Sequence, residues 1–211
     1  MYVLTVDQRG SRRDVDRVGR LLDSMQDSRL VRPFERTAGD EVQAVAADAR
    51  TVVDIALSLA RQGWWSVGIG VGSVEQPLPE STRAGRGPAF EAARDAVTRA
   101  KNAPASIAIT AADAASESRS RDAETALTLV ALLVTDRTDQ GHAAVDLMAD
   151  GHTQKSAAEV LGISKQAMSQ RLSVARWTIE AGGRVLAERL LAELDTAPGP
   201  TTGVHTTQGD A

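Results

Sequence analysis

The chain has 211 residues, a net charge of -4, 42% hydrophobic residues and 3% aromatic residues. This length suits one large or two small domains with real cores, and the acidic balance argues against a generic polyanion binder. The chain contains no cysteine, which excludes a disulfide framework and a thiolate metal site. No apolar run approaches the roughly 20 residues of a membrane span, and no signal-peptide pattern opens the chain. We therefore expect a cytoplasmic protein with no membrane partner.

Up to residue 111, strand-like stretches alternate with helix-like stretches. Apolar runs predict strands over 2–6, 31–37, 41–47, 66–74 and 106–109, and helical spacing predicts helices over 14–27, 51–61 and 88–101. The step Ala38-Gly39-Asp40 predicts a hairpin turn. The order strand, helix, strand, strand, helix, strand is the split βαβ plan of ferredoxin-like folds. We predict an α+β protein with a ferredoxin-like domain over residues 1–111.

Acidic residues are expected to meet at one edge of this predicted sheet. A helix crosses between the first and second strands, so these strands point the same way, and Asp7 falls on the edge of the hairpin that carries Asp40 and Glu41. Paired carboxylates bind Mg²⁺, which takes its other ligands from phosphates. The segment Gly85-Arg86-Gly87-Pro88 opens a helix whose free amides suit a phosphate. Alternatively, the acids are solvated turn residues and the glycines only permit close packing.

Four short motifs in the first half carry a family resemblance. They are VDQRGSRR (6–13), AGDEVQAV (38–45), VGIGVGSV (67–74) and GRGPAFEAAR (85–94). Together they resemble the SatD-like family of bacterial proteins over about half of the chain. The same order is similar to the palm of class III nucleotide cyclases and GGDEF-type synthases. In those enzymes an Asp at the end of the first strand and an acidic hairpin hold two metal ions.

The resemblance implies a nucleotide-like ligand, with Mg²⁺ as its possible cofactor. It places the metal at Asp7 and Asp40, and it places Arg36 where cyclases select the base. Arg94 matches the arginine of the cyclase helix, but Phe90 stands where an orienting Asn is expected, and a phenyl ring donates no hydrogen bond. We therefore expect binding with slow or absent turnover, and we assign no catalytic residue. The ligand-binding residues implied are Asp7, Ser11, Arg12, Arg36, Asp40, Glu41, Arg86 and Arg94.

From residue 112 the pattern is helical, and we predict an all-α domain over residues 112–195. The sequence predicts a polar linker over 114–122, an apolar helix over 124–135 and a second helix over 138–149. It also predicts helical structure to about 194, with a break or a bend at Gly182-Gly183. Residues 196–211 are rich in Thr, Gly and Pro, which predicts a disordered tail. The three histidines show no ligand spacing, and we assign them no role.

Residues 153–176 have the pattern of a helix-turn-helix. A first helix ends at Gly162, where a positive φ permits a sharp turn, Ile163 plugs the angle between the helices, and Ser164 caps the second helix. This stretch is similar to the helix-turn-helix of region 4 of sigma factors and of many repressors. No acidic residue lies between Leu161 and Ile179. The alternative is an ordinary helical hairpin with a glycine turn.

The outward side chains of this segment are donors and hydroxyls that suit phosphates and base edges. We expect double-stranded DNA to be bound by Thr153, Gln154, Ser164, Lys165, Gln166, Ser169, Gln170 and Arg171. A single helix-turn-helix buries too little surface for tight specific binding to DNA, so we also expect a homodimer. The apolar excess of residues 124–135 and the palm are its expected contacts.

Three functional hypotheses follow from these patterns. In the first, a transcriptional regulator reads DNA with its helical half and senses a nucleotide-like ligand with a degenerate palm. In the second, the palm is an active cyclase or nucleotidyltransferase and the helices regulate it. In the third, the palm only dimerises a DNA-binding protein. The intact recognition helix and Phe90 favour the first hypothesis.

Overall fold

The computed structural model describes residues 1–10 and 15–196, and the chain is an α+β protein. Five strands form one sheet: β1 (Tyr2–Gln8), β2 (Leu30–Ala38), β3 (Glu41–Ala46), β4 (Trp65–Val71) and β5 (Ile107–Ala111). Eight helices are present in the described residues: α1 (Val18–Ser24), α2 (Ala49–Gln62), α3 (Pro88–Ala100), α4 (Glu117–Thr135), α5 (Asp139–Ala149), α6 (Gln154–Val160), α7 (Lys165–Val174) and α8 (Trp177–Asp195). None of the described helices is long and apolar enough to cross a membrane. The predicted tail lies outside the described residues, except for Thr196.

The sheet has the strand order β2-β3-β1-β4-β5. β1 is antiparallel to both β3 and β4, β2 is antiparallel to β3, and β5 is parallel to β4. β1 and β2 therefore point the same way with β3 between them, as the sequence predicts. The β2–β3 turn has Gly39 at φ 56°, the left-handed region that a two-residue hairpin turn requires.

The two faces of the sheet are covered by different helices. Tyr2, Leu4 and Val6 of β1 share one buried cluster with residues of α1, α2, α4 and α8. The opposite face is covered by α3, which lies so close to β4 that side chains do not fit between them. A Cβ atom on Gly68 would overlap the backbone nitrogen of Val97. The first glycine cluster, Gly68-Ile69-Gly70-Val71-Gly72, therefore serves helix–sheet packing, one of the two roles considered from the sequence.

Helices α4 and α8 differ from the sequence-based prediction in two places. The expected polar linker over 114–122 is wrong, because a short 3-10 turn leads directly into α4 at Glu117. The expected break at Gly182-Gly183 is also wrong, because α8 runs without interruption to Asp195. Gly183 lies against α4, where an added Cβ would be 2.6 Å from Val130 Cγ2, so this glycine permits a close helix crossing. The chain breaks earlier, at Arg176, which has φ 57°.

Helices α5, α6 and α7 bury a cluster of their own, separate from the sheet core. Met168 and Leu172 of α7 lie at its centre together with Ala157 of α6 and Ala144 of α5. By contrast, α4 and α8 contribute to the core beneath the sheet. The predicted division at residue 111 therefore separates elements that share one core, whereas residues 139–175 form the compact helical unit.

A buried ion-pair network joins this helical unit to α8 and α2, the helices that pack beneath the sheet. Arg137, between α4 and α5, pairs with Glu180 of α8, and their side chains are 3% and 1% exposed. Glu180 Oε1 accepts a hydrogen bond of 2.8 Å from Arg184 Nε, and Arg184 reaches Asp54 of α2 at 3.2 Å. The charges of the two arginines and two acids offset one another, which makes their burial tolerable.

Candidate nucleic-acid interface and acidic sheet edge

Both helices of the predicted helix-turn-helix begin and end with specific local signals. Thr153 caps α6 by accepting the backbone N–H of Ser156 at 3.1 Å, and Ser156 Oγ accepts the N–H of Thr153 at 3.0 Å. The same helix ends in a Schellman motif, in which Ile163 N–H donates to Ala158 at 3.0 Å across Gly162 at φ 63°. These residues fix where α6 stops and how the chain turns.

The second helix of the pair, α7, starts at Lys165, three residues after Gly162. Ser164 Oγ accepts the N–H of Ala167 at 3.1 Å and so caps α7. Gly151 and Thr153 stand in the same relation before α6, so a glycine, one residue and a hydroxyl cap precede each helix. Because Met168 and Leu172 are buried, the opposite side of α7 faces outward.

An open concave surface lies between the start of α6 and the outer side of α7. We call it the reader surface, and it is lined by Gln154, Lys165, Gln166, Ser169, Gln170, Ser173 and Val174. It carries one cation, three amides and two hydroxyls, and no carboxylate. Gln166 and Gln170 lie one helical turn apart and are both exposed, so their amides are free to act together on one ligand edge.

Five of the eight predicted DNA-binding residues line the reader surface, and three have other surroundings. The hydroxyls of Thr153 and Ser164 are engaged in helix capping. Arg171 is half-buried and lines a neighbouring depression with Asp136 and Thr138. Sequence reasoning missed Ser173 and Val174, although their position one turn beyond Ser169 and Gln170 carried the signal.

The predicted acids lie close together at one end of the central strands β1 and β3. Asp7 and Glu41 are paired directly across β1 and β3, so both side chains leave the same face of the sheet. Asp40 immediately precedes Glu41 in the hairpin turn, and its carbonyl accepts the N–H of Gln8 at 3.3 Å. The Asp7 carboxylate, however, binds the ammonium of Lys101 at 3.0 Å. A lysine charge therefore already offsets the acid that the sequence assigned to a metal.

The predicted base-selecting residue, Arg36, turns away from these acids. Its guanidinium pairs with Asp16 at 2.8 Å and donates to the carbonyl of Gly39 at 2.9 Å. The hydrogen bond from Arg36 lowers the pKa of the Asp16 carboxyl below its ordinary value. Arg36 pairs with Val42 across the hairpin, and Val42 belongs to the cluster on the opposite face from Glu41.

The second glycine cluster, Gly85-Arg86-Gly87, lies at the opposite end of the strands from Asp7. Asp7 is paired with Ser66 at the start of β4, whereas Gly87 approaches Val74, beyond the end of that strand. The intervening strand of at least six residues is about 20 Å long, so Arg86 and this loop do not share a cleft with Asp7. Phe90 is fully buried, and Gly85 leaves room for its ring. Phe90 is thus a core residue.

Of the remaining predicted ligand residues, only Arg94 lies within the described part of the chain. Arg94 is exposed on α3, and Ser11 and Arg12 lie outside the described residues. Within residues 1–10 and 15–196, no group of three or more His, Asp or Glu side chains has the arrangement of a metal site. The described acidic edge is a pair of strand carboxylates with a lysine.

Comparison of the chain with family models, characterised proteins and solved structures finds no match. Any statement about its activity therefore depends on the geometry described above.

Proposed function

We propose that this chain is a double-stranded DNA-binding regulator of transcription that reads its site with α7. The reader surface carries the proposal: outward amides and hydroxyls, one lysine and no carboxylate, on a helix held by its own small core. Glutamine binds adenine through two hydrogen bonds in the major groove, and hydroxyls and lysine bind phosphates.

The charge distribution favours a sequence reader over a nonspecific polyanion binder. The whole chain is acidic, with a net charge of -4, so general attraction to DNA is weak. The four cations from Lys155 to Arg176 are accompanied by a single acid, Glu159. A locally basic segment, residues 155–176, on an acidic body orients the protein, so that only the reader surface approaches the duplex.

In this proposal the sheet is a scaffold for the reader and not a nucleotide cleft. The strand order supports a palm-like, ferredoxin-related fold, which agrees with the SatD-like resemblance of the sequence motifs. Three placements argue against nucleotide chemistry there: Lys101 neutralises Asp7, Arg36 faces the other side, and the glycine loop lies at the far edge. The third sequence-based hypothesis likewise gives the palm no nucleotide, but it assigns dimerisation to the palm, which the scaffold role does not.

Selection from a pool of random DNA duplexes tests the function without knowledge of the site. We expect the unmodified protein to enrich one sequence motif, which a variant with both Gln166→Ala and Gln170→Ala fails to enrich. These two residues are exposed, so the variant keeps its fold, and thermal unfolding of the variant verifies this. Recovery of random sequence by both proteins contradicts the proposal.

A further inference from the structure

Two neighbouring helices carry large apolar side chains that the fold leaves uncovered. On α4, Leu129 and Leu132 are 60% and 38% exposed, and on α8, Ile179 and Leu186 are 60% and 41% exposed. We call these four residues the α4–α8 seam. Isolated exposed leucines are common on protein surfaces, but a contiguous set marks an interaction surface.

The two pairs of side chains lie on the same side of the helix pair. Helices α4 and α8 are antiparallel, because Arg137 after the end of α4 contacts Glu180 near the start of α8, while Ser116 and Leu194 line one cavity at the other end. Their contact line passes through Val130 and Gly183. Leu129 and Leu186 are rotated from this line in the same sense, which in an antiparallel pair places them on one side.

The opposite side of the same helix pair is directed towards the body of the protein. There, Glu124 of α4 accepts the N–H of Ile109 in β5 at 2.7 Å, and Arg184 of α8 reaches Asp54 of α2. The α4–α8 seam is therefore the face that the monomer turns to solvent.

We propose that the α4–α8 seam is covered by the same seam of a second copy of this chain, forming a two-fold dimer. This inference rests on the proposed function and adds the partner that it needs. A two-fold interface places one surface patch against itself, so the patch must be self-complementary. Gly182 lies within the seam with no atom within 4 Å of an added Cβ, which leaves a recess for a leucine or isoleucine of the second copy.

The size and composition of the face suit a dimer interface. Each helix has 19 residues, so the pair presents a face about 28 Å long and about 20 Å wide. Such a face covers about 560 Å² in projection, close to the roughly 600 Å² per partner at the lower end of standard interfaces. The exposed pair Arg189 and Glu193 follows the seam on α8 and supplies the polar rim that interfaces have around an apolar centre.

The seam is also connected to the reader surface. Only Ala175 and Arg176 separate the recognition helix α7 from α8. A dimer that fixes two copies of α8 therefore fixes the separation of two recognition helices, which must match a multiple of one DNA turn of about 34 Å. A second copy supplies the second recognition helix that such spacing needs, and an unrelated partner does not.

Sedimentation without DNA tests the proposal, because it does not depend on the reader surface. We expect the unmodified protein to be a dimer at micromolar concentration and the variant Leu129→Glu with Ile179→Glu to be a monomer, with at least a tenfold weaker association. Val185→Glu is the matched control, since Val185 is 65% exposed on α8 but lines a cavity with Arg50 and Asp54 of α2, outside the seam. It should remain a dimer. A monomeric unmodified protein, or a seam variant that dimerises normally, overturns the proposal.

Cross-linking gives a second measurement that introduces no buried charge. The chain has no cysteine, so Gly182→Cys introduces a single thiol. A short bis-maleimide should link Gly182→Cys into dimers, and it should link Val185→Cys several-fold less. Equal cross-linking of both variants contradicts a seam-to-seam dimer. If dimers form but no DNA motif is enriched, the proposed function fails while the seam proposal stands.

Discussion

Replacement of Glu180 by alanine should destabilise the protein strongly, because it removes the acid at the centre of the buried network. Glu180 is 1% exposed and accepts hydrogen bonds from Arg137 and Arg184. Without it, the Arg137 guanidinium, 3% exposed, keeps a bond of 3.1 Å to the carbonyl of Ala175 but loses its counter-charge. Removal of one partner of a buried ion pair costs about 3–5 kcal/mol.

In a protein of this size that loss is readily measured. One kcal/mol corresponds to about 2–4 °C in the unfolding temperature, so Glu180→Ala should lower it by roughly 6–20 °C. Glu180→Gln keeps the shape and one acceptor, and a smaller decrease is expected. A combined Arg137→Met and Glu180→Leu variant removes both charges and should regain most of the stability, because a buried pair is replaceable by apolar residues.

The control for this prediction is an exposed ion pair on the same helix. Arg189 and Glu193 are 3.9 Å apart with side chains 66% and 56% exposed, so Glu193→Ala should change the free energy of unfolding by less than about 0.5 kcal/mol. Calorimetry or circular dichroism measures all four variants. If Glu180→Ala is no less stable than Glu193→Ala, the network does not join the helical unit to α8 and α2 as described.

Three further predictions concern other parts of the molecule. Gly70→Ala should destabilise the protein by about 1–3 kcal/mol, because the added Cβ overlaps the carbonyl oxygen of Ala89. Gly19→Ala is the control and should be neutral or stabilising, because Gly19 in α1 has open space around it. Equal effects of the two variants on chemical denaturation contradict the close β4–α3 contact. Burial lowers the pKa of the His142 imidazole, so the unfolded state binds the proton more readily and stability should fall as pH drops below about 6.5. His142→Gln should flatten this dependence in unfolding curves measured from pH 7.5 to 5.5. An unchanged slope refutes the assignment. ATP or GTP with Mg²⁺ should leave the unfolding temperature unchanged, because Lys101 neutralises Asp7; a shift that Asp7→Asn abolishes would restore the nucleotide-sensing hypothesis.

Local signals in the sequence were sufficient to predict much of the fold. The alternation of strands and helices, the turn at Gly39, and the cap at Ser164 follow from periodicity and from residues with specific backbone preferences. Each of these depends on neighbours a few residues away. The observed antiparallel pairing of β1 with β3 also follows from the helix that crosses between β1 and β2.

The errors arose where distant elements meet. Helical spacing in α8 does not indicate that Leu191 packs beneath the sheet, and nothing near Gly182-Gly183 in the sequence reveals that Val130 lies against the second glycine. The ion pair between Asp7 and Lys101 joins residues 94 positions apart. Such contacts depend on how whole elements are stacked, which composition and spacing do not specify.

The placement of the second glycine cluster was within reach of sequence reasoning. In the predicted order, the fourth strand is antiparallel to the first, so the loop after it must lie at the opposite edge from Asp7. Following the chain direction through β4 therefore separates Gly87 from the acids without any structure. The sequence-based prediction groups the acids and the glycine loop by chemical type, although the predicted topology already separates them.

The central claim is that the outward amides of α7 read base pairs. A fluorescence anisotropy titration of the selected duplex tests it most directly, with the unmodified protein, Gln170→Ala and Arg171→Ala. We predict that Gln170→Ala weakens binding by about 1–3 kcal/mol, or roughly 5- to 150-fold, and relaxes the preference at one base pair. Arg171→Ala, outside the reader surface, should have a smaller effect. Unchanged affinity and base preference in Gln170→Ala, or a larger loss in Arg171→Ala, would contradict the assignment of the reader surface.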